Sequence, residues 1–299
     1  MSILTISPKV IPWIFVWIWS TGFLAAKFGL PYAEPFTLLL YRFTFTLLFL
    51  LIVIRFKKSP WPKSKIAFLH LMVVGALIHG VYLGGVFQAI KWGMPAGLRA
   101  MIIGLQPLGM ALMAGIILKE HVSKRQWLGL IIGLLGLYLV LFERLDLSSE
   151  FAFDGFSIWA VFAVIASLFG ISIGAVYQKR FCSDMDLISG TWVQYFSAVV
   201  LCTLIVLLFE TGEVSWTGPF ILTLAWQVLA LSVGAIFLLM TMIKQGATAS
   251  VGSYFYLVAP LVAIQAWFLF EETISFISIA GVVLISFGVA ITSSKKLKN

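Results

Sequence analysis

Three cations, Lys27, Arg42 and Arg99, interrupt stretches of sequence that otherwise hold almost only apolar side chains. A charge near the centre of a bilayer costs about 2.5–3.5 kcal/mol, so each of these needs a counter-charge, an escape to the headgroups or a ligand. If the three converge, they form a positive vestibule that attracts a carboxylate or a phosphate. The competing reading lets Lys27 and Arg99 snorkel to headgroups and spends Arg42 on backbone carbonyls of a neighbouring helix. His79 is set deep in another apolar stretch, with Tyr82 three residues on and Gln88 beyond. It reads either as a hydrogen-bonded packing residue or as a cavity wall and proton-sensitive gate, because imidazole titrates near neutrality. Trp17, Ser20, Thr21, Gln106, Ser167, Ser172, Tyr254 and Tyr256 supply aromatic faces and hydrogen-bonding groups for the lining of such a cavity. Aromatics at helical spacing serve a core or an interfacial belt equally well, and Trp13 and Trp61 read as belt residues.

The missing chemistry is as informative. All twelve acidic residues fall in loops or at the ends of apolar stretches, so no mid-membrane carboxylate is available to exchange an organic cation for a proton. An intramembrane enzyme needs paired carboxylates, a Ser/His pair with its orienting partner, or a metal cluster. Ser20 and His79 come nearest, on different apolar stretches and without a third member, so no catalytic residues are expected. Two cysteines, Cys182 and Cys202, support neither a disulfide framework nor a metal site. No Gly-rich Lys-Ser/Thr loop is present to cradle nucleotide phosphates, and no cofactor is expected.

The elements that must position these residues follow from composition. The chain of 299 residues is 61% hydrophobic and only 11% charged, with a mean hydropathy of +1.06. Soluble domains carry about 25% charged residues, so this is an integral membrane protein of the all-α class. Continuous apolar runs, about twice the length of a barrel strand and without alternation, exclude a β-barrel. Transmembrane helices are expected at Val10–Leu30, Phe36–Ile54, Ile66–Ile90, Ala96–Leu118, Gln126–Phe142, Phe156–Gln178, Leu187–Phe209, Phe220–Ile243, Ala249–Phe270 and Ile274–Ile291. The first reads as one span among many rather than a removable export signal. With the N-terminus inside, one set of loops collects Arg55, Lys57, Lys58, Lys63, Lys65, Lys124, Arg125, Lys179 and Arg180, while acidic residues dominate the other side. The basic bias therefore sets the N-terminus and C-terminus both inside. It also accounts for a pI of about 9.5 without any nucleic acid as partner.

The chain also resembles itself. Lys91 and Lys244, and Pro107 and Pro260, stand 153 positions apart; Glu120 and Glu272, Gly129 and Gly281, and Gly136 and Gly288 stand 152 apart. At 152, Glu34 meets Asp186 and Arg42 meets Gln194; at 153, Arg99 meets Gly252. Residues 1–148 and 149–299 thus read as two five-helix repeats. An odd number of spans turns the second copy upside down, the arrangement that transporters use for alternating access. Pro107 and Pro260 interrupt matched helices, either as packing kinks or as pointers to a central binding site. Glu120 and Glu272 read as structural caps or interface residues.

The stretches "IWSTGFLAAKFGLPYAEPFTLLLYRF", "AIKWGMPAGLRAMIIGLQPLGMALMAGIILKEHVSKRQWLGLIIGLLGLYLV" and "YFYLVAPLVAIQAWFLFEETISFISIAGVVLISFGVAI" resemble the ten-helix EamA-type members of the drug/metabolite transporter superfamily. The resemblance implies a metabolite carrier, commonly an exporter, with a central cavity lined by both halves. Many members place a glutamate before the proline of the ninth span; here Ala259 stands there, and Gln106 precedes Pro107. The expectation is a secondary transporter of small amphipathic metabolites such as amino acids, in the inner membrane of a bacterium. A proton-coupled exporter of organic cations is the alternative. Expected partners are a small-molecule substrate and the lipid bilayer, and the sequence is compatible with a monomer and with a dimer.

Overall fold

The computed structural model describes residues 10–119, 123–143, 155–236, 238, 258–271 and 275–293. Among them the chain forms α1 (Ile11–Gly29), α2 (Pro35–Lys57), α3 (Lys65–Lys91), α4 (96–117), α5 (Lys124–Glu143), α6 (Ile158–Phe181), α7 (Leu187–Phe209), α8 (Gly218–Ala235), α9 (Val258–Phe270) and α10 (Phe276–Ser293). Each coincides with one apolar segment of the sequence. Seven of them, α1 to α4 and α6 to α8, are long and apolar enough to cross a membrane. The protein is an all-helical, multi-pass membrane protein. Glu120, Glu272, Tyr254 and Tyr256 lie outside the described residues.

Local chemistry starts these helices where the apolar runs begin. The free N–H groups of a first turn need acceptors, and short polar side chains supply them. Ser64 accepts from Ala67 N–H ahead of α3, Ser157 from Trp159 N–H ahead of α6, and Asp186 from Ile188 and Ser189 N–H ahead of α7. The α2 helix is capped from a distance, because Pro35 occupies its first position and the carboxylate of Glu210, at the end of α7, accepts from Phe36 and Thr37 N–H at 2.9 and 2.7 Å. Arg55 and Lys57 close α2 at its negative end, where the helix dipole favours cations.

Two kinds of irregularity bend the bundle. The α4 helix breaks at Gly104 and Leu105, and Pro107 sits in the first turn of the segment that resumes at Gln106. The α3 and α8 helices each widen into a π-helical stretch, at Ala76–Leu83 and Gln227–Ala235. Such stretches are rare and concentrate at functional sites.

Packing is set by small residues, because lipid gives apolar helices no hydrophobic reason to associate. A Cβ on Gly136 of α5 would lie 2.7 Å from the carbonyl oxygen of Gly281 on α10, and one on Gly288 of α10 would lie 2.5 Å from the carbonyl oxygen of Gly129 on α5. These two helices therefore touch backbone to backbone. Further neighbours include α2 with α7 and α8, α3 with α6 and α7, α4 with α6 and α9, and α1 with α8 and α9.

One end of the bundle is sewn shut by polar contacts. Lys91 donates to Glu34 at 2.6 Å, and the same carboxylate accepts from Thr211 N–H at 2.7 Å. Ala33 pairs with Val214 as an isolated antiparallel bridge, and Ser215 N–H donates to Tyr32 at 2.9 Å. The α1–α2 turn and the α7–α8 connection are thereby held together over this mouth. At the opposite end, Ser189 Oγ donates to the Pro60 carbonyl at 2.6 Å and Trp61 meets Trp192 edge-on.

Candidate substrate cavity

Arg42 lies seven residues into α2, about 10 Å along the helix from its start. It is 7% exposed, and its Nε donates to Ser232 Oγ of α8 at 3.0 Å. No carboxylate of the described residues lies within ion-pair distance. Tyr82 of α3 and Tyr195 of α7 flank it closely enough to feel its charge, and Ser232 also reaches the Tyr195 hydroxyl. Beside this group His79 stacks on Tyr195, with ring centroids 4.2 Å apart and planes 22° from parallel. The Gln194 side chain reaches the imidazole, and Nδ1 has no partner among the described residues. The two π-helical stretches supply His79 and Tyr82 from α3 and Ser232 from α8, while Arg42 and Tyr195 come from the regular helices α2 and α7.

These residues enclose a cavity of about 100 Å³ between α1, α2, α3, α6, α7 and α8. Arg42, His79, Tyr82 and Tyr195 form its polar part, and Trp19, Phe23 and Phe87 are prominent in its apolar wall. A small apolar chamber with a few convergent polar groups is the form that small-molecule sites take. It suits a solute with one charged end and an apolar body. Among the described residues no cluster of His, Cys, Asp or Glu could hold a metal ion.

Of the residues singled out in the sequence, Arg42, His79 and Tyr82 meet at this cavity. The other two cations stand elsewhere. Arg99 is fully buried and its guanidinium donates to the carbonyls of Met94 and of Phe23, the latter at 3.3 Å. Lys27 lies 3.9 Å above the Phe270 ring and borders a separate groove of about 580 Å³ with Glu34 and Lys91. The three positive charges therefore do not share one vestibule. Trp17 faces outward, more than half exposed, and packs edge-on against Trp226. Ser20 Oγ donates to the Trp17 carbonyl at 2.8 Å, and Thr21 Oγ1 donates to Ile18 while accepting from Trp226 Nε1 at 2.9 Å. Gln106 leans on Met110 Sδ at 3.8 Å, and Ser167 donates to the Ala163 carbonyl. Pro260 falls in the first turn of α9 as described.

Sequence reasoning missed Tyr195, Ser232 and the aromatic wall. One signal was within reach: Gln194, matched to Arg42 across the two halves, is the immediate neighbour of Tyr195. Ser232 carried no such mark, since a serine in an apolar helix ordinarily bonds back to its own turn.

Residues 11–142 match the EamA-like transporter family. The chain is 26% identical to YvbV of Bacillus subtilis (strain 168), described as an uncharacterized transporter, over 93% of this chain and 88% of that protein. It is 27% identical over 167 residues to a Salmonella typhimurium protein named "Probable amino-acid metabolite efflux pump", covering 56% of this chain and 52% of the relative. A solved crystal structure superposes with a TM-score of 0.59 over 95% of both chains at 20% identity, which establishes the likeness of fold alone. The family match runs through the helices that carry Arg42, His79 and Tyr82, and the similarity to named transporters spans nearly the whole length. The chain is thus similar to EamA-like transporters over residues 11–142, and over nearly all of its length to a protein described as a transporter.

Proposed function

We propose that this protein is a secondary carrier, an exporter or facilitator, that moves small amphipathic metabolites such as amino acids by alternating access around the Arg42–His79 cavity. It works in a bacterial cytoplasmic membrane, with both termini on the inner side. The observation that carries the reading is an exchange of partners across the cavity. Arg42 matches Gln194 and His79 matches Ser232 when the halves are superposed in sequence, at offsets of 152 and 153. Arg42 bonds Ser232, and Gln194 reaches His79. The hydrogen-bonded pair Arg42–Ser232 and the neighbouring pair Gln194–His79 exchange with each other when the halves are exchanged, which supports a site shared by two repeats.

The rest of the packing supports the same exchange. Replacing helices one to five by six to ten turns α3·α6 into α8·α1, α3·α7 into α8·α2 and α4·α6 into α9·α1, all of which are neighbours here. The pairs α2·α7, α4·α9 and α5·α10 map onto themselves. Gly136 against Gly281 and Gly288 against Gly129 repeat one crossing in mirror order, and the two π-helical stretches fall at matching places. A site on the axis of an inverted repeat can face either side through rocking of one half against the other.

The test is uptake by purified protein in liposomes across amino acids, organic anions and organic cations. Amino acids or related carboxylates should enter, and quaternary ammonium compounds should not. Selective movement of the quaternary compounds would refute the reading in favour of a cation exporter. That alternative needs a membrane carboxylate, and in the sequence all twelve acids fall between apolar stretches or at their ends.

A further inference from the structure

The guanidinium of Arg42 has more to donate than it gives. It carries five N–H donors in a planar fork, of which the described contacts use the one on Nε, to Ser232. The side chain is 93% buried and forms part of the cavity wall. A buried charge without a partner is strongly unfavourable, and the remaining fork matches a carboxylate bidentately. No counter-charge of the opposite kind is at hand for a cation. No acid lines the cavity among the described residues, and residues 237–257 contain Lys244 and no acid at all. The exchange of halves sharpens the asymmetry: the Arg42–Ser232 contact is charged and its counterpart Gln194–His79 is not.

We infer that the cavity favours a monoanion over the amino acid of the same skeleton, with the substrate's carboxylate on the free fork of Arg42 beside Tyr195 and Ser232 and its apolar body among Trp19, Phe23 and Phe87. The His79 ring, stacked on Tyr195, stands in the same cavity wall and offers no carboxylate to an ammonium group. An α-ammonium there would meet an imidazole and aromatic rings in place of a carboxylate. A cavity of about 100 Å³ is smaller than the roughly 150 Å³ void that accepts benzene, so the body is on the scale of a short branched chain. Within the carrier reading, on which this inference rests, 2-hydroxy and 2-keto monocarboxylates are therefore favoured over the zwitterions with the same skeleton.

Three solutes isolate the charge: 2-hydroxyisovalerate, valine and isobutylamine share one branched body and carry net charges of minus one, zero and plus one. Full-length protein in liposomes is expected to take up 2-hydroxyisovalerate about tenfold faster than valine, and isobutylamine no faster than protein-free liposomes. An inside-negative potential should slow the anion's entry. Arg42→Gln should lower uptake of the anion about tenfold or more, as expected for loss of a charged hydrogen-bond pair, with Arg42→Lys between the two. Valine moving faster than the hydroxy acid overturns the inference, as does unchanged uptake by a correctly folded Arg42→Gln. If that variant fails to fold, the order of the three solutes on the unaltered protein still decides. Should none of the three move while other solutes of the wider panel do, the carrier reading stands and the monoanion inference falls. Should nothing move, both fall.

Discussion

Glu210 is the place to strike the closed mouth, because one carboxylate there holds three donors of another helix. It accepts from Phe36 N–H at 2.9 Å, Thr37 N–H at 2.7 Å and Thr37 Oγ1 at 2.8 Å. Losing a side-chain cap costs about 0.5–2 kcal/mol, and losing a negative charge from a helix N-terminus costs about 0.3–1 kcal/mol more. Water can reach this end and replaces part of what is lost, so Glu210→Ala should weaken the seal by about 2 kcal/mol. Under alternating access this seal breaks in every cycle, and that loss raises the ratio of open to shut mouths about 30-fold. The reporter is Ala33→Cys, at a position 6% exposed in the bridge to Val214. The background is quiet, because Cys182 and Cys202 are both buried. Burial also raises the pKa of the Cys182 thiol, which lowers its thiolate fraction. Maleimide labelling of the introduced thiol should therefore accelerate by an order of magnitude or more in the Glu210→Ala background, and by less in Glu210→Gln, which keeps one acceptor oxygen. A labelling rate unchanged by Glu210→Ala would show that the carboxylate caps a helix and does not hold the mouth.

Other outcomes follow from separate parts of the molecule. Gly136→Val should lower the thermal midpoint by the equivalent of about 1–3 kcal/mol, because its Cβ meets the Gly281 carbonyl at 2.7 Å and neither backbone can yield cheaply. Gly218→Ala is the matched control, with nothing within 4 Å of the added carbon, and should be neutral or slightly stabilising. The hydrogen bond from Lys91 holds the Glu34 carboxyl below its ordinary pKa of 4.5, helped by Thr211. A lowered folded-state pKa stabilises above the ordinary value and is lost as pH falls through the folded one. The midpoint of the native protein should thus drop below about pH 4.5 by a component that Glu34→Gln lacks, and identical pH profiles would remove the ion pair from the account. Cysteines introduced at Ser59 and Ser215 should react with impermeant reagents from the inner and the outer side respectively, and the reverse pattern would invert the proposed topology.

The sequence by itself determined that the chain is an all-helical membrane protein and where its apolar helices lie, because a bilayer leaves the chain one way to satisfy its backbone over about 20 apolar residues. The starts read at Ile66 and Leu187 fall within a residue of the helices capped by Ser64 and Asp186, whereas the one read at Phe156 begins at Ile158, after the Ser157 cap. The sequence also singled out Arg42, His79 and Tyr82, since a polar or charged group inside such a segment is costly enough to need a purpose. The partners of that charge were not legible. Lys27, Arg42 and Arg99 look alike in sequence, yet one sits over a Phe270 ring, one lines the cavity and one donates to the carbonyls of Met94 and Phe23. Which way a side chain turns depends on the neighbouring helix, and neighbours are chosen by backbone approach at residues such as Gly136 and Gly288, a property of pairs of helices. The π-helical turns at Ala76–Leu83 and Gln227–Ala235 are of the same kind. No residue pattern announces them, and only the packed bundle brings His79 and Tyr82 to one cavity and Ser232 to the Arg42 guanidinium.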